Sequence, residues 1–339
     1  MLNFSLLKRL ALVIPPDSRA VRGVSIPSSS AFTSLRSVND KTFVDMTGWT
    51  VDRVTQTSTR MLQSCNVTEP EASVPHLLAA SLDLPWESGH RDILSLKSQT
   101  LTTEQARDFS FKLSRRLQHE PLQYILGKWD FLDYTITIRP PLLCPRPETE
   151  ELVMRIVKDS SISPIRVLDV GCGTGVIGLS LADKLKNAFV HAIDVDPVAI
   201  TTSSENAMIV LGSDRYESCY AAKLCSAQDY EAEHSFDLVV SNPPYIPRAD
   251  IVKLSPDVLN FESETALCGG IDGMDVIRII VRKLSYWCRS GACCWIEVDP
   301  SHPAILQDWL ESNPDLGVAF EASFMDMCGR DRFVRLRVL

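Results

Sequence analysis

The stretch Val167-Leu168-Asp169-Val170-Gly171-Cys172-Gly173-Thr174-Gly175-Val176-Ile177-Gly178 runs from an apolar strand through a glycine-rich turn into the start of a helix. Glycines there admit positive φ and let a ligand come close to the backbone. The helix start adds free N–H groups and a partial positive charge. Asp194 ends the next apolar run, 21 residues beyond Gly173, where an acid suits two ribose hydroxyls. Gly173, Gly175 and Gly178 also satisfy G-x-G-x-x-G, so a dinucleotide site is the natural rival. Two details favour S-adenosylmethionine. Asp169 stands at the mouth of the first strand, where a carboxylate meets the cofactor's amino group, and Gly171 extends the loop to Asp-x-Gly-x-Gly-x-Gly.

Around this loop, strands and helices alternate. Candidate strands are 165–169, 189–194, 236–241 and 292–298, with a helix opened by Asp196-Pro197 and closed near Gly212. Asp at the N-cap and Pro at the first helical position are good helix-start chemistry. Apolar strands alternating with helices imply a parallel α/β sheet covered on both faces. Residues 319–324 and 332–338, flanking Gly329-Arg330-Asp331, suggest a closing antiparallel pair.

Phe236 to Ser241 runs straight into Asn242-Pro243-Pro244-Tyr245. Proline cannot donate to a sheet ladder, so the chain leaves the sheet at its carboxyl edge, beside the cofactor crevice. Pro243 and Pro244 stiffen the turn, and Asn242 is restricted to an extended conformation. Such a turn suits methyl transfer to a planar NH₂ group, whose lone pair is delocalised. The Asn242 side-chain oxygen and the Pro243 carbonyl can each accept one proton of that group, favouring the pyramidal form reached at transfer. Tyr245 can stack on the planar group. No metal or strong general base is called for. An ordinary strand-to-loop turn is the plain reading of the tetrapeptide alone; its place downstream of the glycine loop and Asp194 argues against that.

Toward the amino terminus, residues 45–127 read as a small helical domain. Helices are expected over 50–65 and 71–82, and a third is opened by a Thr102/Gln105 capping box with Ala106, Phe109, Leu113 and Leu117 on one face. His119-Glu120-Pro121 should end it. Alternation in Phe131, Tyr134, Ile136 and Ile138 predicts a hairpin within a linker, 128–149, that leads to a methyltransferase domain over 150–339. Residues 1–39 differ in composition: Lys8, Arg9, Arg19, Arg22 and Arg36 face one acid, Asp17, among eight serines. An Arg- and Ser-rich, acid-poor start reads as a transit peptide, which places the mature chain in the mitochondrial matrix.

The whole chain has 339 residues and a formal charge of −9. That acidic balance argues against bulk nucleic-acid binding, which needs clustered Lys and Arg. No run reaches the 18 or so apolar residues of a spanning helix, so no membrane partner is expected. The ten cysteines contain no C-x-x-C pair and the six histidines are scattered, so neither a zinc site nor a redox pair is supported. Reduced, mostly buried thiols are expected.

Over residues 120–339 the chain resembles the HemK family of protein-(glutamine-N5) methyltransferases. The likeness is carried by 121–127 (PLQYILG), 145–150 (PRPETE), the glycine loop, 241–246 (SNPPYI), Phe261-Glu262, Thr265-Ala266-Leu267 and Asp272-Gly273-Met274. With the leader, it lies nearest the family's mitochondrial members. The resemblance implies a Rossmann-like class I methyltransferase sheet behind a small helical substrate-recognition domain and a β-hairpin. It also implies methylation, from S-adenosylmethionine, of the glutamine in the Gly-Gly-Gln motif of peptide chain release factors. By that likeness Asp194 binds the ribose, Gly171, Gly173 and Gly175 the methionine moiety, and Asn242, Pro243 and Tyr245 the glutamine amide. Arg146, Glu148 and Glu150 fit either a salt-bridged interdomain loop or substrate contact. Cys172 stands where a small residue is usual, and Glu262-Ser263 replaces the usual Glu-Pro. The acid beside adenine has no clean counterpart; Asp229 is the first candidate and Gln228 the second. Adenine N6 methylation of DNA or RNA, or non-catalytic S-adenosylmethionine binding, are the alternatives.

Overall fold

In the computed structural model, which describes residues 36–38, 41–87, 89–159 and 166–339, Thr50 and Thr102 each begin a helix. Thr50 accepts the Arg53 N–H and starts Val51–Ser64. Thr102 and Gln105 form both halves of the expected capping box ahead of Thr103–Arg116, which buries Ala106, Phe109 and Leu113. That helix stops before Pro121 acts, because His119 takes a left-handed φ of 65°. Pro70–Ser81 and a short helix, Leu122–Leu126, complete the main helices of this segment. Except for 36–38, the leader lies outside the described residues.

Two units are distinguished, Met1–Val44 and Asp45–Leu339. In the first, β1 (Arg36–Val38) and β2 (Lys41–Phe43) pair antiparallel. In the second, β3 (Lys128–Phe131) and β4 (Tyr134–Thr137) form the expected hairpin, burying Phe131 and Ile136. The main sheet contains β5 (Arg166–Val170), β6 (Phe189–Asp194), β7 (Tyr220–Leu224), β8 (Phe236–Ser241), β9 (Cys288–Glu297), β10 (Val318–Met325) and β11 (Asp331–Val338). Their order is β10-β11-β9-β8-β5-β6-β7, parallel from β9 to β7 and antiparallel at β11 and β10.

The strands are apolar on both sides because helices cover both faces. Val167, Leu238, Val240, Cys293 and Trp295 pack with helices Pro147–Lys158, Val176–Lys184 and Pro197–Leu211. Their neighbours Leu168, Val239, Cys294 and Ile296 pack with Asp275–Trp287 and His302–Glu311. Period-two alternation thus appears as two cores rather than as a wet and a dry face. From β5 the chain goes to β6 on one side and later to β8 on the other. That reversal opens a crevice at the carboxyl ends of β5 and β8.

The ten cysteines form no disulfide; five are buried, fewer than expected, and Cys65 and Cys328 are exposed. Among the described residues, no helix is long and apolar enough to cross a membrane.

Candidate active site

The glycine loop lies in the crevice and divides its glycines by task. Gly171 and Gly173 have φ of 72° and 54°, and a Cβ added to either would meet nothing within 4 Å. Both line a cavity of about 250 Å³. Gly175 does not line it. A Cβ there would come within 2.7 Å of the Ser203 Cβ, so this glycine lets two helices approach. The expected place of Gly175 beside the methionine moiety differs from its place here, between two helices and off the cavity wall.

Asp169 is also displaced from its expected place. It is wholly buried behind the loop rather than at the cavity wall. Its Oδ2 accepts the Gly178 N–H at 2.9 Å, whereas Oδ1 has no partner among the described residues. Burial pushes its carboxyl up to about 7, with the Gly178 bond opposing and the Asp194 charge adding to the rise. Asp194 does line the cavity. It accepts the Gly173 N–H and the Asp196 N–H, each at 2.9 Å. Two bonds leave a carboxylate with further acceptor capacity, and burial holds its pKa above the usual range. After β7 the cavity is lined by Gln228 and not by Asp229. The Asp229 carboxylate accepts from Ser226 Oγ at 2.6 Å and caps its own turn, so Gln228 replaces it as the residue facing the cavity.

Across the crevice, Asn242, Pro243 and Pro244 line the same cavity. The turn is seated on glycines: a Cβ at Gly269 would lie 2.6 Å from the Pro244 carbonyl, and one at Gly273 would lie 2.2 Å from that of Tyr245. Asn242 Nδ2 donates to Thr149 Oγ1 at 3.1 Å, and Thr149 Oγ1 donates to Glu297 Oε2 at 2.8 Å. Tyr245 lies outside the cavity wall, and its hydroxyl donates to Glu297 Oε1 at 3.3 Å. The β8–β9 register explains the meeting: Ser241 is opposite Ile296, so Asn242, the first residue past β8, lies beside Glu297, the last residue of β9.

Residues 145–150 lead into the first turn of the helix Pro147–Lys158, where Arg146 and Glu148 form ion pairs and Glu150 accepts a backbone N–H. Arg146 grips Glu262 through both carboxylate oxygens at 2.7 and 2.8 Å. Glu148 pairs with Arg330, and Glu150 accepts the Leu132 N–H. Glu262-Ser263 thus keeps the ionic contact despite its departure from Glu-Pro. Thr149 and Glu297 escaped the sequence reading. Thr149 lies inside a stretch read for its charges, and Glu297 is a single acid closing an apolar strand; that lone acid was the available signal.

With this geometry in place, likeness to known proteins decides the family. Residues 54–127 match the model of the PrmC N-terminal domain, and residues 148–257 match the methyltransferase small domain. The human MTRF1L release factor glutamine methyltransferase is 38% identical over 260 residues, covering 72% of this chain and 75% of that protein. The chain belongs to the release factor glutamine methyltransferase family. Release factor glutamine methyltransferases of Bacillus anthracis (36% identity, 70% of this chain and 83% of that one) and Geobacter sulfurreducens (31%, 74% and 84%) are also similar. As a methyltransferase of this family the protein is an enzyme, and its cofactor is S-adenosylmethionine.

The residues fit that cofactor. Gly171 and Gly173 leave an open cradle. Asp194, half-buried at the cavity wall with acceptor capacity to spare, sets a carboxylate beside that cradle, which suits a hydroxyl-bearing, cationic ligand.

Proposed function

We propose that this chain methylates the side-chain nitrogen of the glutamine in the Gly-Gly-Gln motif of peptide chain release factors. The carrying observation is the committed amide of Asn242. Thr149 has one hydroxyl proton, and it goes to Glu297, so toward Asn242 this hydroxyl can only accept. One proton of the Asn242 NH₂ group is thereby committed to Thr149, which fixes the direction of the amide and leaves Oδ1 for a ligand in the cavity Asn242 lines.

S-adenosylmethionine supplies a methyl group already activated on a sulfonium. Asp194 would accept the ribose hydroxyls, Gly171 and Gly173 would admit the methionine moiety, and Gln228 would face the adenine. Asn242 Oδ1 and the Pro243 carbonyl would accept the two protons of the substrate NH₂, holding its nitrogen toward the donor. Those bonds strengthen as positive charge develops on the nitrogen, so they favour the transition state over the ground state. Pro243 and Pro244 keep the acceptors fixed, which lowers the cost of orientation. Tyr245, bonded to Glu297, would flank the planar amide.

The helical segment, 45–127, would recognise the release factor, the hairpin and linker, 128–149, would join it to the sheet, and 150–339 would carry the chemistry. A buried ion pair ties the helical segment to the catalytic side: Arg116 bonds Asp257, in the short helix Pro256–Leu259 that follows the Asn-Pro-Pro-Tyr turn, at 2.8 Å. The leader's composition supports action in the mitochondrial matrix.

The test is incubation with labelled S-adenosylmethionine and candidate release factors, followed by mapping of the modified residue. Label on the Gly-Gly-Gln glutamine supports the reading. Label only on adenine of nucleic acid would move the substrate while leaving the site's chemistry in place.

A further inference from the structure

We infer that Glu297, acting through Thr149, is the positioning residue that decides which end of the Asn242 amide faces the substrate. The inference rests on the proposed role of Asn242, and it adds a group that touches neither cofactor nor substrate. An asparagine amide has two ends of similar shape and opposite hydrogen-bonding character. Turned one way, Asn242 offers an acceptor to an incoming NH₂ group; turned the other way, it offers a donor and repels it. Packing alone does not distinguish the two. The hydroxyl of Thr149 does, because it donates to Glu297 Oε2 at 2.8 Å and has nothing left to donate to Asn242.

Glu297 imposes this direction as long as both its oxygens accept. It is almost wholly buried, and its two oxygens take the hydroxyls of Thr149 and Tyr245. The other charged groups acting on it are Arg332, which favours its ionised form, and Glu148, which disfavours it. Phe333, its cross-strand partner in β11, brings no charge. Burial, the largest influence, lifts the carboxyl to about 7 against the Thr149 bond, Arg332 and the Tyr245 bond. When Glu297 takes up a proton, one of its oxygens becomes a donor. If that proton points at Thr149, the threonine hydroxyl is free to donate to Asn242, and the amide turns over. The working orientation is therefore imposed above this pKa and no longer imposed once the pH falls through it.

The test uses the full chain labelled with ¹⁵N-asparagine, the Asn242 side-chain resonance being assigned by its loss in Asn242→Ala. In the wild-type protein this NH₂ signal should shift with pH, with a midpoint near 7. Thr149→Ser, which keeps the hydroxyl, should retain the shift. Thr149→Val, which removes it, should abolish the shift in a protein that still unfolds in one cooperative transition, at a somewhat lower temperature because Glu297 loses a donor. In single-turnover methylation of a release factor, Thr149→Val and Glu297→Gln should each be slower by roughly 10–100-fold, short of the 10²–10³-fold seen when a transition-state partner is deleted outright. Cofactor affinity should stay within about twofold of wild type. The rise of the wild-type rate through pH 7 should be absent from both variants. A Thr149→Val protein whose Asn242 signal still titrates, or whose rate and pH profile match wild type, overturns the relay. A wild-type enzyme that transfers nothing to the Gly-Gly-Gln glutamine overturns the substrate reading instead, and the resonance alone then judges the relay.

Discussion

At the Asn242 side chain, one end of the amide is occupied and the other is left to a ligand, which separates binding from chemistry. Asn242→Ala removes the acceptor without touching the glycine loop or Asp194. Cofactor binding should survive, and methyl transfer should fall by roughly 10²–10³-fold, the scale of losing one transition-state partner; single-turnover rates beside a cofactor titration check this. Wild-type transfer by this variant would reduce the tetrapeptide to a turn. Asp194, which lines the same cavity, is proposed to serve binding. Asp194→Ala removes charge-assisted bonds worth about 1.5–3 kcal/mol each and leaves the Gly173 N–H without its acceptor. Calorimetry should show weakened S-adenosylmethionine binding; unchanged affinity in a folded variant would take Asp194 out of the site. Asp194 was legible because its distance from the loop is set by one strand–helix–strand unit. Glu297 was not, because its partner Thr149 is 148 residues away and nothing local marks the pair.

Among the elements, those with strong local chemistry were readable: the Thr102/Gln105 capping box, the Asp196-Pro197 helix start and the apolar strands. β7 was missed. It is an edge strand with a single buried residue, Tyr220, so it shows neither a continuous apolar run nor alternation. The same strand sets the following turn, in which Gln228 rather than Asp229 lines the cavity. Between elements, the Arg116–Asp257 pair is an ion pair with both side chains buried. Arg116 also donates to Ser73 Oγ and to the carbonyls of Thr68 and Glu120. Removing one member of such a buried pair costs about 3–5 kcal/mol, so Arg116→Met should lower the denaturation midpoint by that equivalent. Burial raises the Asp257 carboxyl, but the Thr68 and Arg116 bonds outweigh it and hold its pKa below the ordinary 3.8. A depressed carboxylate adds stability that is present above its unfolded pKa and is withdrawn as the pH falls through its folded one. Wild-type stability should therefore drop below about pH 4, and Asp257→Asn should flatten that limb in denaturant titrations against pH.

On the scale of the whole molecule, the leader is read from composition alone. A reporter fused to residues 1–39 should enter mitochondria and emerge shortened; a diffuse cytosolic reporter of full length would overturn that address. The remainder joins helices and sheet in one unit, Asp45–Leu339, and the Arg116–Asp257 pair spans 141 residues within it. A ribosome adding about 5–20 residues per second needs roughly 7–28 s to cover that interval. Throughout that time the nascent helices hold a guanidinium whose counter-ion has not been made. The segment synthesised earlier is thus completed later, after the turn that follows β8 has left the ribosome.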